Sequence, residues 1–125
     1  ASYRDLLGEQ PFLLNGFDQN LLVMDANRFQ LLYDRINAMN MGDVHTRQLR
    51  RLIFSNATQI EFDKTGRFII PQPLREIARL DNAAIIVGIG KDIEIWNPDL
   101  YKEMEEAGEG PTSAATLVSN FDLTI

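Results

Sequence analysis

The chain has 125 residues, 45% of them hydrophobic and 24% charged, with a net charge of −6. That length suits one compact domain or two small halves sharing a core, and the composition excludes a fibrous or wholly disordered chain. Zero cysteines and a single histidine, His45, exclude disulfides, thiolate zinc sites, cysteine nucleophiles and most histidine-based metal sites and triads.

Residues 2–7 read as a short amphipathic helix carrying Arg4. The apolar runs at 11–14 and 21–24 read as strands separated by a turn. Over residues 26–39, Phe29, Leu32, Tyr33 and Ile36 recur at helical spacing. Asn40, Met41, Gly42 and Asp43 break the chain, and a second helix is expected over 44–55. Residues 58–62 alternate polar and apolar as a half-buried strand does, and 68–70 resume as a strand after Asp63-Lys64-Thr65-Gly66, which predicts a hairpin. Pro71 ends it, and Gln72-Pro73 opens a helix over 74–80. Residues 108–115 have loop composition, so the tail is expected to be mobile unless Leu117, Val118, Phe121 and Ile125 dock.

Residues 2–32 resemble 73–104 at an offset of 71 or 72. Arg4 falls on Arg75, the strand at 11–14 on 83–86, the strand at 21–24 on 93–96, and Asp25-Ala26 on Asn97-Pro98, an N-cap followed by proline at the first helical position. Each copy reads helix, strand, turn, strand, helix. The same offset places the partner of the 60–71 hairpin immediately before residue 1, so the first copy is expected to lack its hairpin.

Charge is segregated along the chain. Residues 41–80 hold seven basic side chains against four acidic ones, whereas 81–125 hold nine acids against Lys91 and Lys102. One face can therefore meet phosphate while the rest keeps the molecule soluble. The best candidates lie at the hairpin tip. Asp63 can accept turn amide hydrogens and Gly66 can take the positive φ that closes a short turn. Lys64 and Arg67 then project from a rigid tip, the guanidinium able to bind a phosphate or a guanine edge bidentately and the ammonium serving as a point charge. Arg47, Arg50 and Arg51 share a helical face and form a second basic group, for which a solvated face is the default.

The remaining residues that invite a functional reading have simpler ones. His45 has no histidine or cysteine neighbour to complete a metal site. Arg4 and Arg75 suit packing or subunit contacts, and Trp96 suits core or interface filling. Gly88 and Gly90 lead into a strand rather than a helix, which favours a hairpin over a nucleotide loop. Glu103, Glu105, Glu106 and Glu109 suit a solvated terminus. Nucleophile, base and orienting group do not occur together, so no enzyme, cofactor, metal or small-molecule substrate is expected. No apolar run spans a bilayer and the start lacks the order of a signal peptide, so a cytoplasmic, non-membrane location is expected.

The run from Phe62 to Pro71, followed by Leu74-Arg75, resembles the second half of MraZ proteins, whose repeats each carry an Asp-x-x-x-Arg hairpin filled here by Asp63 and Arg67. Ile86-Val87-Gly88-Ile89-Gly90, Ile93-Glu94-Ile95-Trp96 and the helix around Arg50-Arg51-Leu52 are similar to the same family, and the similarity spans about residues 1–106. It implies an α+β fold, mainly β with short helices: an AbrB-like swapped-hairpin β-barrel from two tandem pseudo-symmetric half-domains. These would be residues 1–39, incomplete at the N-terminus, and 57–106, with a connecting helix at 40–56 and a tail at 107–125. It further implies a ring-like homo-oligomer, associated with the bacterial nucleoid, that binds repeated promoter sites in double-stranded DNA and regulates the division and cell-wall gene cluster. Arg67 and Lys64 would contact DNA, Asp63 would shape the turn, and Arg47, Arg50 and Arg51 are further candidates for phosphate. An AbrB-like antitoxin, neutralising a partner protein through the acidic segment 99–125, is the alternative.

Overall fold

A computed structural model describes residues 3–107; of the expected tail, Ala107 ends the last described helix and the remainder lies outside the described residues. Its elements follow the order α1 (Tyr3–Leu7), β1 (Phe12–Asn15), β2 (Leu21–Met24), α2 (Ala26–Asn37), α3 (Val44–Phe54), β3 (Thr58–Gln59), α4 (Gln72–Ile77), β4 (Ile85–Ile89), β5 (Asp92–Trp96) and α5 (Pro98–Ala107). Local chemistry sets most of the boundaries. The Asp25 carboxylate accepts the Arg28 amide at 2.7 Å to start α2, and Asp43 accepts the His45 amide at 2.8 Å to start α3. Asn97 accepts the amides of Asp99 and Leu100 at 2.8 and 3.1 Å to start α5. Pro73 sits in the first turn of α4, where its missing amide hydrogen is no loss.

The strands form one antiparallel sheet in the order β3-β1-β2-β5-β4, so the fold is α+β. Its centre is the pairing of the second strand of each repeat copy, with Leu21 opposite Ile95, Leu22 opposite Glu94 and Val23 opposite Ile93. Leu22 and Glu94 are repeat equivalents, so a local two-fold passes between them. A bidentate ion pair from Arg28 on α2 to Asp92 on β5, at 2.7 and 2.8 Å, ties the copies together a second time. The symmetry is inexact in one place. β1 and β2 are joined by residues 16–20, whereas Gly90 and Lys91 alone join β4 and β5, which places Ile85 rather than Ala84 opposite Trp96.

Alternation along the strands divides the apolar residues between the two sheet faces. Leu13, Leu21, Val23, Ile93 and Ile95 form a core with Leu7 of α1 and Leu74 and Ala78 of the α4 segment. Leu14, Leu22 and Met24 form the other with Phe29 and Ile36 of α2 and Ile53 of α3. Phe12 stacks on Phe29 at 4.0 Å between centroids on that second face.

The expected hairpin over 58–70 forms at its tip but not along its arms. Strand pairing stops at Gln59, after which the Ile60 amide donates to the Pro11 carbonyl at 2.9 Å. The next cross-link between the arms is at the turn itself, from the Asp63 amide to the Arg67 carbonyl at 2.7 Å. Side chains hold the arms in place of a ladder: Phe62 and Phe68 meet edge to face at 5.7 Å and, with Ile70, pack on the first core. Alternating sequence reports a half-buried surface, but a strand also needs a neighbouring backbone in register, and among the described residues no strand pairs with residues 61–62 or 68–70.

Both short helices end in a left-handed residue at equivalent places, Gly8 at φ 77° and Arg79 at φ 54°. Glycine adopts that conformation freely, while a residue with a Cβ is strained by roughly 1–2 kcal/mol. Arg79→Gly should therefore raise stability by roughly 0.5–1 kcal/mol and Gly8→Ala lower it by about 1 kcal/mol. Denaturant midpoints at constant m-value would check both, and equal effects of the same sign would contradict the structural equivalence of the two termini.

Candidate nucleic-acid interface

The turn between Asp63 and Arg67 is organised around one carboxylate. Asp63 Oδ1 accepts the Thr65 amide at 2.9 Å, the Thr65 hydroxyl at 2.8 Å and the Arg67 amide at 2.9 Å. The Gly66 amide donates to the Asp63 carbonyl at 3.0 Å, and Gly66 itself lies at φ 83°. These bonds favour the ionised acid. The Arg67 amide is the largest influence, followed by the Thr65 hydroxyl; these outweigh the opposing desolvation and, with smaller help from the Thr65 amide and the Arg67 charge, hold the Asp63 pKa down at about 2.

Arg67 is 79% exposed at its side chain. Its Nε donates to Thr65 Oγ1 at 2.9 Å and lies 3.5 Å from Asp63 Oδ2, which fixes the direction of the guanidinium. Lys64 is exposed at the tip. The pairing of Arg67 with Asp63 is thus real, and because it uses Nε it is compatible with recognition through the outer edge of the fork.

Arg4, expected from the sequence to serve packing or subunit contacts, supplies a specific contact to the turn. Its Nη2 donates to the Asp63 carbonyl, and its guanidinium carbon lies 5.6 Å from the centroid of the Phe62 ring. α1 thereby clamps the base of the turn from the other repeat copy. The only sequence signal was the match of Arg4 with Arg75, and Arg75 donates instead to the Asp81 carbonyl at 3.2 Å.

The second basic group lies elsewhere. α3 packs on the face of the sheet opposite to the one that carries Phe62 and Phe68, so Arg47, Arg50 and Arg51 do not join the Asp63–Arg67 turn in one cluster. Arg47 donates to the Met41 carbonyl at 3.0 Å and Arg50 contacts the Met41 sulfur at 3.1 Å, which fastens α3 to the loop before it. Arg51 is exposed. His45 is a surface residue beside its N-cap Asp43. Trp96 is 3% exposed, with its Nε1 donating to Glu94 at 3.0 Å and its ring edge-on to Tyr101.

Comparison with known proteins bears on what this turn belongs to. A family model described as "MraZ protein, putative antitoxin-like" matches residues 53–117, which include the whole hairpin. The transcriptional regulator MraZ of Thermomicrobium roseum is 34% identical over 121 residues, covering 95% of this chain and 85% of its own length. This chain belongs to the MraZ family. Two further relatives carry the same name. That of Roseiflexus castenholzii is 34% identical over 113 residues, covering 90% of this chain and 79% of its own, and that of Herpetosiphon aurantiacus is 37% identical over 116 residues, covering 91% and 81%. The matches to these MraZ relatives extend across both repeat copies, well beyond the turn.

Two outcomes follow for this MraZ turn. The Asp63 carboxyl, observed by NMR, should titrate near pH 2. Its folded pKa lies below the ordinary 3.8, so its contribution to turn stability is complete above about pH 4 and is lost as the pH falls towards 2; a midpoint near 4 would show that the amide bonds do not form in solution. Arg4→Ala should release the clamp and accelerate exchange of the Asp63 amide, by about three- to tenfold for the loss of a single partly exposed contact, whereas Arg75→Ala should leave it unchanged.

Proposed function

We propose that this chain is a non-enzymatic transcriptional regulator that recognises double-stranded DNA through the Asp63–Arg67 turn. The observation that carries the reading is the preorganised tip, in which a single carboxylate fixes three turn donors while Arg67 and Lys64 remain exposed. Ordering these side chains before binding reduces the entropy lost on contact. A guanidinium matches the O6 and N7 acceptors of guanine or a phosphate, and Lys64 adds a charge to the adjacent backbone. The names of the relatives support a regulatory role. Arg47, Arg50 and Arg51, on the opposite sheet face, are at most secondary phosphate contacts or contacts to a neighbouring copy.

One turn offers few contacts. Several copies in a ring-like oligomer would act on repeated promoter sites, each later contact becoming intramolecular and adding ~10²-fold or more in avidity. Two features suit association: the edge of β4, unpaired among the described residues, and a groove of about 550 Å³ between the hairpin and the sheet, bordered by Phe62, Phe68, Ile86 and Ile95. Strands from neighbouring copies laid there would complete the AbrB-like swapped-hairpin barrel expected from two half-domains. The regulated genes would be the division and cell-wall cluster and the location the nucleoid, as family membership implies. The family description also carries the word antitoxin, which favours as a second reading a module that neutralises a protein partner through the acidic segment 99–125. Co-purification of a small toxin without DNA affinity would select it.

Titration of repeated duplex DNA against a scrambled duplex at several salt concentrations tests the primary reading. Affinity for the repeats should fall steeply with salt. Arg67→Ala should weaken specific binding by roughly 10- to 100-fold per contact with the fold retained, and Arg67→Lys should restore only part of it. Undiminished binding by both variants would move the reader away from the turn.

A further inference from the structure

The ion pair between Asp63 and Arg67 is bridged by a third residue. Arg67 Nε lies 3.5 Å from Asp63 Oδ2, longer than an ordinary hydrogen bond, but 2.9 Å from Thr65 Oγ1. Thr65 Oγ1 in turn lies 2.8 Å from Asp63 Oδ1. A guanidinium only donates and an ionised carboxylate only accepts, so the direction of the chain is fixed. Arg67 Nε–H donates to the Thr65 hydroxyl, and the hydroxyl donates to Asp63. Each bond has one charged end, and the two polarise each other through the shared oxygen. The Thr65 amide donates to the same Asp63 oxygen at 2.9 Å, so the bridging residue is fastened by backbone and side chain alike. Its branched Cβ restricts χ1 further.

The bridge decides which edge of the guanidinium is left for a ligand. A planar fork meets a pair of acceptors side-on, through Nε and one Nη, or end-on, through Nη1 and Nη2. Arg28 shows the first mode within this chain, since Asp92 takes its Nε and Nη2 at 2.7 and 2.8 Å. A direct pair of that kind spends one Nη group. The single hydroxyl of Thr65 takes Nε alone and leaves both Nη groups, on a side chain that is 79% exposed and has no packing to orient it. A fork held in one direction suits the coplanar O6 and N7 of a guanine, whereas phosphate oxygens accept from many directions.

We propose that Thr65 is the positioning residue of the DNA contact: its hydroxyl holds Arg67 Nε on behalf of Asp63, so that Arg67 meets a guanine edge end-on through Nη1 and Nη2. This rests on the reading of the turn as the DNA contact.

The test titrates the chain with repeated and scrambled duplexes. Thr65→Val keeps the branched shape and removes only the hydroxyl. Affinity for the repeats should fall by about three- to tenfold, the size of one exposed charge-assisted bond. Affinity for the scrambled duplex and the salt dependence should not change, because no charge is lost. Thr65→Ser should recover most of the loss, and Thr65→Val added to Arg67→Ala should cost nothing further, since it acts through the guanidinium. In the free protein the Asp63 pKa should rise from about 2 in Thr65→Val and return in Thr65→Ser. Unaltered selectivity in Thr65→Val where Arg67→Ala loses it, or a Thr65→Val loss that persists beside Arg67→Ala, would overturn the positioning role and leave the turn as the reader. Equal losses on both duplexes would assign the contact to phosphate and overturn the guanine contact. Undiminished binding by Arg67→Ala would sink the reading of the turn itself, and this inference with it.

Discussion

Three residue pairs between β2 and β5 are the joint on which the molecule depends. They bring the second strands of two repeat copies together antiparallel, which makes one sheet of two hairpins and aligns the faces of both copies. Each hairpin alone would be a marginal unit in water, since a two-stranded ribbon cannot bury enough apolar surface. Joined, they give Val23, Ile93 and Ile95 a shared interior at 1–3% exposure. Glu94 at the centre of the joint lies on the face of Leu22, where its carboxylate accepts the Trp96 indole hydrogen at 3.0 Å. Arg28 and Asp92 reinforce the same junction from α2, in a geometry that a lysine could not reproduce.

The Asp63–Arg67 turn depends on that joint indirectly. Its arms have no ladder beyond Gln59, so its position comes from the aromatic pair Phe62 and Phe68 settling on the first core and from Arg4 reaching across from α1. Its shape, in contrast, is local: bonds spanning two to four residues to one carboxylate define it. Position and shape therefore have separate causes, and a substitution can disturb either without the other. A rigid tip on a laterally held arm suits a contact that must be placed accurately.

Opposite placement of the two basic groups constrains how the surface is used. The turn belongs to one sheet face and α3 to the other, and Arg47 and Arg50 are committed to the Met41 loop. A single flat partner cannot meet both groups on one copy. A strongly acidic chain with local basic features concentrates its attraction for an anion at those features and repels it elsewhere.

Much of this was legible in the sequence because it depends on near neighbours. The spacing of Phe29, Leu32 and Ile36 gave α2, Asn97-Pro98 gave the start of α5, and Asp63 with Gly66 gave the turn, since caps and turns are made by side chains within four residues of the backbone they satisfy. The repeat offset, a property of order alone, even anticipated which residues are structurally equivalent. Tertiary structure decided what no local pattern encodes: the pairing of β2 with β5, the clamp from Arg4 across 59 residues to Asp63, the separation of α3 from the hairpin by the thickness of a sheet, and the lack of a ladder along residues 60–62 and 68–70. Alternation records only that one side of a segment is apolar. Which backbone lies beside it, and which face it turns to, is set by packing between distant parts of the chain.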